Sequence, residues 1–240
     1  MQMKTYLNPA PDTWADLLRR PTMAAADLDK IVGGVLADIE QRGDEAVREY
    51  TERFDGVRLD DFRVSEAEIA EARATLAPEL KAAIQLARTN IETFHARQWE
   101  PVEAVETMPG VRCWRKSVPI EKVGLYIPGG TAPLFSAVLM LGVPATIAGC
   151  RERILCTPPD KNGKVNPAIL YTADLVGITQ IFKIGGAQAI GAMTYGTATV
   201  PSVYKIFGPG NQYVTAAKQL ASRRGVAIDM PAGPSEVLVC

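Results

Sequence analysis

The chain has 240 residues, 47% of them hydrophobic, with 26 Lys/Arg against 27 Asp/Glu. A compact chain of this length buries roughly 70–75% of its unfolded surface, enough for one large domain or two smaller ones. The charge is uneven: residues 1–123 hold 17 Lys/Arg and 22 Asp/Glu, while residues 124–240 hold 9 and 5 together with 15 of the 20 glycines. A mildly basic, glycine-rich half without clustered Lys/Arg suits a small anionic ligand and argues against nucleic acid, although ordinary fluctuation over a lightly charged α/β segment gives the same numbers. Cys113, Cys150, Cys156 and Cys240 form no CxxC pair and have no histidine nearby, so neither a zinc ribbon nor a disulfide framework is expected. The longest apolar stretch, around Ala137–Ala148, is broken by Gly142 and Pro144, and the N-terminus has Lys4 but no continuous apolar core. A cytoplasmic protein without a membrane span is expected.

Residues 1–23 read as a short arm in which Asp12 is placed to cap a helix through Trp14, Leu17 and Leu18, ended by Pro21. Asp27 is placed to cap the next helix, on which Ile31, Val35 and Ile39 fall four apart. After Gly43, Asp44-Glu45 opens another, ending near Phe54-Asp55-Gly56. Ser65-Glu66-Ala67-Glu68 has the capping-box pattern, and Pro78 suits the first position of a long helix to about Gln98, with Leu80, Ile84, Ala87, Ile91 and Phe94 as its buried stripe. His95, the single histidine, lies at the edge of that stripe and is read as structural.

Val111–Val118 reads as a strand interrupted by Pro119. From Val123 the pattern changes to short apolar strands (Val123–Ile127, Arg153–Cys156, Gln180–Ile184, Val203–Phe207, Val237–Val239) alternating with helices near Leu134–Leu141, Pro167–Val176, Ala187–Tyr195 and Asn211–Arg223. Such alternation predicts an α/β fold with a parallel sheet and right-handed crossovers. The apolar end Ser235–Cys240, without cap or polar tail, reads as a strand of a longer protein.

Three glycine turns recur: Gly124-Leu125-Tyr126-Ile127-Pro128-Gly129-Gly130, Ile184-Gly185-Gly186-Ala187-Gln188, and Ile206-Phe207-Gly208-Pro209-Gly210-Asn211. A glycine turn opening a helix can bring a ligand to backbone N–H groups that carry partial positive charge, so each turn is a candidate anion seat; each is equally a candidate tight turn. Neither G-x-G-x-x-G nor GxxxxGK[ST] is present, which argues against a conventional Rossmann site and a P-loop. Tyr126, Gln188 and Asn211 stand where polar ligand contacts are needed, although Asn211 alone reads as an N-cap. Asp229 and Glu236 are candidate general bases, and Cys240 has no base partner.

With Ala132-Pro133-Leu134 and Asp229-Met230-Pro231-Ala232-Gly233-Pro234-Ser235-Glu236, these ordered motifs resemble the histidinol dehydrogenase family. Gly43-Asp44-Glu45-Ala46-Val47 and Tyr50-Thr51-Glu52-Arg53-Phe54-Asp55 resemble it more loosely. The resemblance implies NAD-dependent oxidation of L-histidinol to L-histidine in two steps through the aldehyde, with a bound zinc and a Glu-His acid/base pair. It places cofactor contacts at Tyr126, Gln188 and Asn211 and a substrate contact at Ser235. It implies a cytoplasmic homodimer whose active sites borrow residues from the partner's C-terminal part. It also implies incomplete Rossmann-like, aldehyde-dehydrogenase-like parallel sheets, divided as arm 1–23, a first domain 24–123 completed by chain beyond residue 240, an NAD-facing domain 124–234, and a returning strand 235–240. The family's zinc ligands and catalytic pair are expected beyond Cys240, so neither metal ligands nor catalytic residues are assigned in this chain, and the fragment is expected to be inactive alone. Two alternatives stay open: an aldehyde-dehydrogenase-like oxidoreductase, and a non-catalytic nucleotide-binding or assembly module.

Overall fold

The computed structural model describes residues 4–19, 25–130 and 132–231. After a 3₁₀ turn (Pro11–Thr13) come α1 (Trp14–Leu17), α2 (Ala25–Arg42), α3 (Asp44–Asp55), α4 (Glu66–Thr75) and α5 (Pro78–Ala96). A hairpin of β1 (Ala104–Met108) and β2 (Val111–Trp114) follows. The chain then alternates: β3 (Lys122–Tyr126), α6 (Phe135–Ile147), β4 (Glu152–Thr157), α7 (Pro167–Leu175), β5 (Gln180–Lys183), α8 (Gly186–Tyr195), β6 (Lys205–Phe207), α9 (Gln212–Ser222) and β7 (Ala227–Ile228). The expected strand Val237–Val239, with Ser235, Glu236 and Cys240, lies outside the described residues.

The five later strands form one sheet in the order β5-β4-β3-β6-β7, every neighbouring pair parallel. The chain enters at the centre on β3, moves outward through β4 to β5, then crosses back to β6 and β7 on the other side. The reversal leaves a topological switch point between β3 and β6, the usual ligand crevice of such sheets. Side chains alternate across the sheet with the two-residue period of strands. Tyr126, Ile154, Cys156, Phe182 and Ile206 enter one core with α2, α3, α8 and α9. Val123, Leu125, Leu155 and Ile181 enter the other with α4 to α7. The sheet begins with β3 at Lys122, and helices from before it cover both faces. At the β5 edge the preceding chain adds antiparallel bonds, Val64 N–H to the Ile181 carbonyl at 2.9 Å and Lys183 N–H to the Phe62 carbonyl at 2.7 Å.

Several local expectations need correction. Asp12 sits inside the 3₁₀ turn and caps nothing; the Thr13 hydroxyl bonds back to the Ala10 carbonyl at 2.7 Å. Asp27 lies within the first turn of α2, where it faces the positive end of the helix dipole. On α5, Ile84 is buried, but Phe94 is 65% exposed because the helix has run past its neighbours. Helix α6 continues through Gly142 and Pro144 to Ile147: Gly142 lies so close to Val176 that a β-carbon would come within 2.6 Å of its Cγ2, and this packing overrides the breaker residues. Strand β1 had no expected counterpart, since its hairpin is exposed on both faces and carries no burial pattern. The capping box holds, with Glu68 N–H to Ser65 Oγ at 3.2 Å and Ser65 N–H to Glu68 Oε2 at 2.9 Å. Gly56 ends α3 in the left-handed region.

Candidate functional site

Tyr126, Gln188 and Asn211 line a single cavity of about 1210 Å³ at the carboxyl ends of the strands, together with Asp55, Gly129 and Thr157. Each is placed by a different strand–turn–helix unit, and the turns do more than permit it. Gly208 has φ +134, and a β-carbon there would collide with the Tyr126 carbonyl oxygen; only glycine lets β6 leave the sheet against the end of β3. Gly186 has φ +57 and sits beneath the Gln188 amide.

The three residues differ in what they offer. The Tyr126 ring is 3% exposed and belongs to the core, so the reading of a ring free to stack is corrected; its hydroxyl accepts the Gly186 N–H at 3.0 Å and ties the start of α8 to β3. Burial pushes its phenol up to about 12, against the opposing effect of that N–H. Asn211 is exposed and caps α9, its Oδ1 accepting from Tyr213 N–H at 3.0 Å and Val214 N–H at 3.1 Å. The capping and ligand readings are compatible, because the cap engages Oδ1 and the residue also lines the cavity. Gln188 is fully buried; Nε2 donates to Asp55 Oδ2 at 3.1 Å, and Oε1 has no partner among the described residues.

Some of the N–H groups of the second and third turns are taken by the chain itself. In the second, the Tyr126 hydroxyl takes the first N–H of α8. In the third, the Asn211 cap and Asp229 take the N–H groups, Gly208 N–H donating to Asp229 Oδ2 at 2.8 Å. Asp229 is further paired with the buried Lys218, whose Nζ also donates to the Gly208 carbonyl at 2.9 Å. An aspartate so engaged is a brace for the turn, which corrects its reading as a general base. Among the described residues no group of three His, Cys, Asp or Glu could hold a metal ion. His95 bonds Gln98 through Nδ1 at 2.7 Å and takes no part in the cavity. Cys150 and Cys156 are buried thiols, and burial drives the Cys156 pKa upward, away from the reactive thiolate.

Two residues of the wall escaped the sequence reading. Thr157, at the end of β4, is buried with its Oγ1 unpaired. Asp55 ends α3, and desolvation raises its carboxyl to about 6 despite the hydrogen bonds from Gln188 and Gly185. The sequence signals for Asp55 were its place at a helix end and in the Tyr50–Asp55 stretch that loosely resembles the family. Also on the wall, Glu68 pairs with Lys183 at 2.7 Å; burial opposes its ionisation, but Lys183 and Ser65 hold its pKa below the ordinary value.

A doubly wound parallel sheet with a cavity at the ends of its strands, beside the switch point, defines an α/β protein of Rossmann-like architecture. Among the described residues no helix is long and apolar enough to cross a membrane. The chain belongs to the histidinol dehydrogenase family: a sequence model of that family matches residues 18–240. It is 60% identical over 237 residues to the histidinol dehydrogenase of Bacteroides thetaiotaomicron, covering 99% of this chain and 55% of that protein. Against that of Xanthomonas euvesicatoria it is 56% identical over 226 residues, covering 93% and 52%. The crystal structure of histidinol dehydrogenase from Elizabethkingia anophelis matches with a TM-score of 0.89 at 58% identity, covering 97% of this chain and 54% of that one. The chain therefore spans about half the length of the curated relatives it matches. Membership of this family weighs against both alternatives.

Proposed function

We propose that this chain forms the nucleotide-facing part of a cytoplasmic, NAD-dependent histidinol dehydrogenase, which oxidises L-histidinol to L-histidine through the aldehyde. The observation that carries the reading is the convergence of Tyr126, Gln188 and Asn211, from three separate turns, on one cavity. The cavity suits a dinucleotide: it is larger than most small-ligand pockets, and two residues of its wall, Gln188 and Thr157, each carry a buried polar atom without a partner among the described residues. When bound there, NAD⁺ would accept a hydride in each of the two oxidations. In this chain Gln188 and Asn211 Nδ2 bind and orient the nucleotide, and Tyr126 holds the α8 turn against it through Gly186.

Zinc needs three or four protein donors, and the described residues offer no such group, so no step is assigned to zinc in this chain. We place the zinc ligands and the Glu-His pair in the part of the relatives' length that this chain does not span. Ser235, outside the described residues, remains the candidate substrate contact, and homodimerisation through the missing part belongs to the same proposal. Residues 24–123 are proposed to be completed by chain beyond residue 240. In support, every residue of the β1–β2 hairpin is exposed, including Val105, Met108, Val111 and Trp114.

Titration calorimetry with NAD⁺ tests the reading. Binding is expected, weakened at least tenfold in Asn211→Asp, which keeps the capping oxygen but puts a negative charge beside an anionic ligand. Undiminished affinity in that variant and in Tyr126→Phe would overturn the assignment. With zinc and L-histidinol added, the chain alone is expected to produce no NADH; steady turnover would sink the placement of the catalytic residues elsewhere.

A further inference from the structure

Asp55 comes from the helical stretch before the sheet, yet its carboxylate enters the cavity wall. Oδ2 accepts from Gln188 Nε2 at 3.1 Å, across 133 positions of sequence, and the Gly185 N–H donates to the same carboxylate. An ionised carboxylate can only accept, so the amide must turn Nε2 towards it; the flipped amide would set two acceptors face to face. The consequence falls on Oε1, a fully buried acceptor without a partner among the described residues, and such atoms carry a desolvation cost that a donor would recover. A side chain at Gly186 would crowd this oxygen, since a β-carbon there would come within 2.6 Å of it.

Resting on the nucleotide reading of the cavity, we propose that Asp55 is the positioning residue of the site: it locks the Gln188 amide so that Oε1 receives a hydrogen-bond donor from the dinucleotide. NAD⁺ carries such donors on its ribose hydroxyls, its adenine amine and its nicotinamide carboxamide. The other charged groups of the wall have partners of their own: Glu71 of α4 pairs with Lys164 at 3.7 Å, and Asp160 accepts from the Asn162 and Lys164 N–H groups. Helix α8 carries no charged residue, α2 contributes Ile31, Val32 and Val35 to the wall, Tyr126 of β3 is a neutral phenol, and Glu68 of α4 is paired with Lys183 of β5. Once protonated, which burial brings about near pH 6, Asp55 can donate to Oε1 and accept the flipped amide.

The test is NAD⁺ calorimetry on the whole chain at pH 7.5 and pH 5, with thermal unfolding of the ligand-free protein alongside. The parent is expected to lose affinity about tenfold towards pH 5, while Asp55→Asn binds about tenfold more weakly at pH 7.5 with a flat pH profile. If Asp55→Asn keeps parental affinity and pH dependence, the positioning role is overturned while the nucleotide reading stands. A weaker Asp55→Asn that retains the parental pH profile and unfolds at lower temperature has lost structure only, which also overturns it. No binding of NAD⁺ by the parent overturns the nucleotide reading and this role together. ADP-ribose lacks the carboxamide, so a loss in Gln188→Ala shared by both ligands supports a donor in their common part, and a loss confined to NAD⁺ supports the carboxamide. No loss with either ligand overturns the role of Oε1.

Discussion

An aspartate that titrates near pH 6 instead of near 4 burdens the folded state once it ionises. The folded protein holds the Asp55 proton more tightly than the unfolded chain, so between the ordinary value of 3.8 and about 6 stability falls as pH rises, and above that window the loss is complete. Asp55→Asn removes this dependence. The difference in unfolding free energy, variant minus parent, should therefore become more positive from pH 4.5 to pH 7 in urea titrations; a difference independent of pH would contradict the raised carboxyl. At this scale the sequence was legible where a residue's place in a turn decides its role. Tyr126, Gln188 and Asn211 stand at strand ends and helix starts, and all three reach the cavity. Asp55 and Thr157 were not legible, because their importance lies in a bond across 133 positions and in an unpaired hydroxyl that no local pattern announces.

The turn between β6 and α9 illustrates the element scale. Its glycines and capping asparagine could be read directly, whereas the Lys218–Asp229 brace depends on α9 lying beside the segment after β7. Lys218 is buried, so removing its counter-charge leaves an uncompensated ammonium, a situation that costs about 3–5 kcal/mol in protein interiors, reduced here because Asp229 is partly exposed. Asp229→Asn should lower the urea unfolding free energy by about 2–3 kcal/mol, whereas the double change with Lys218→Met should recover part of that loss. A single variant with parental stability would show that the brace carries no weight. Helix α6 makes the opposite lesson: Gly142 and Pro144 are breakers locally, yet its contact with Val176 carries the helix onward, and nothing in the segment itself encodes that contact. The exposed hairpin hid β1 for a related reason, since alternation is visible only where one face is buried.

At the scale of the whole molecule, the alternating strands announced a parallel sheet, but not that α2 to α5 would share its cores. Every residue of the hairpin is exposed, with Trp114 60% and Met108 61% exposed. Apolar surface of this kind drives association. The isolated chain should self-associate in sedimentation experiments, and Trp114→Lys with Val105→Lys should reduce this without shifting the unfolding midpoint; unchanged association would locate the sticky surface elsewhere. The sheet order has one more consequence, in time instead of space. Val123 pairs with Arg153 on one side but with Lys205 on the other, so the second partner of β3 emerges only after two further strand–helix units. Until then the central strand has an open edge, and long-range parallel pairing is slow. Asn211 of the cavity wall stands in the turn after β6, so of the three turns that reach the cavity, the one beside this seam is the last in chain order.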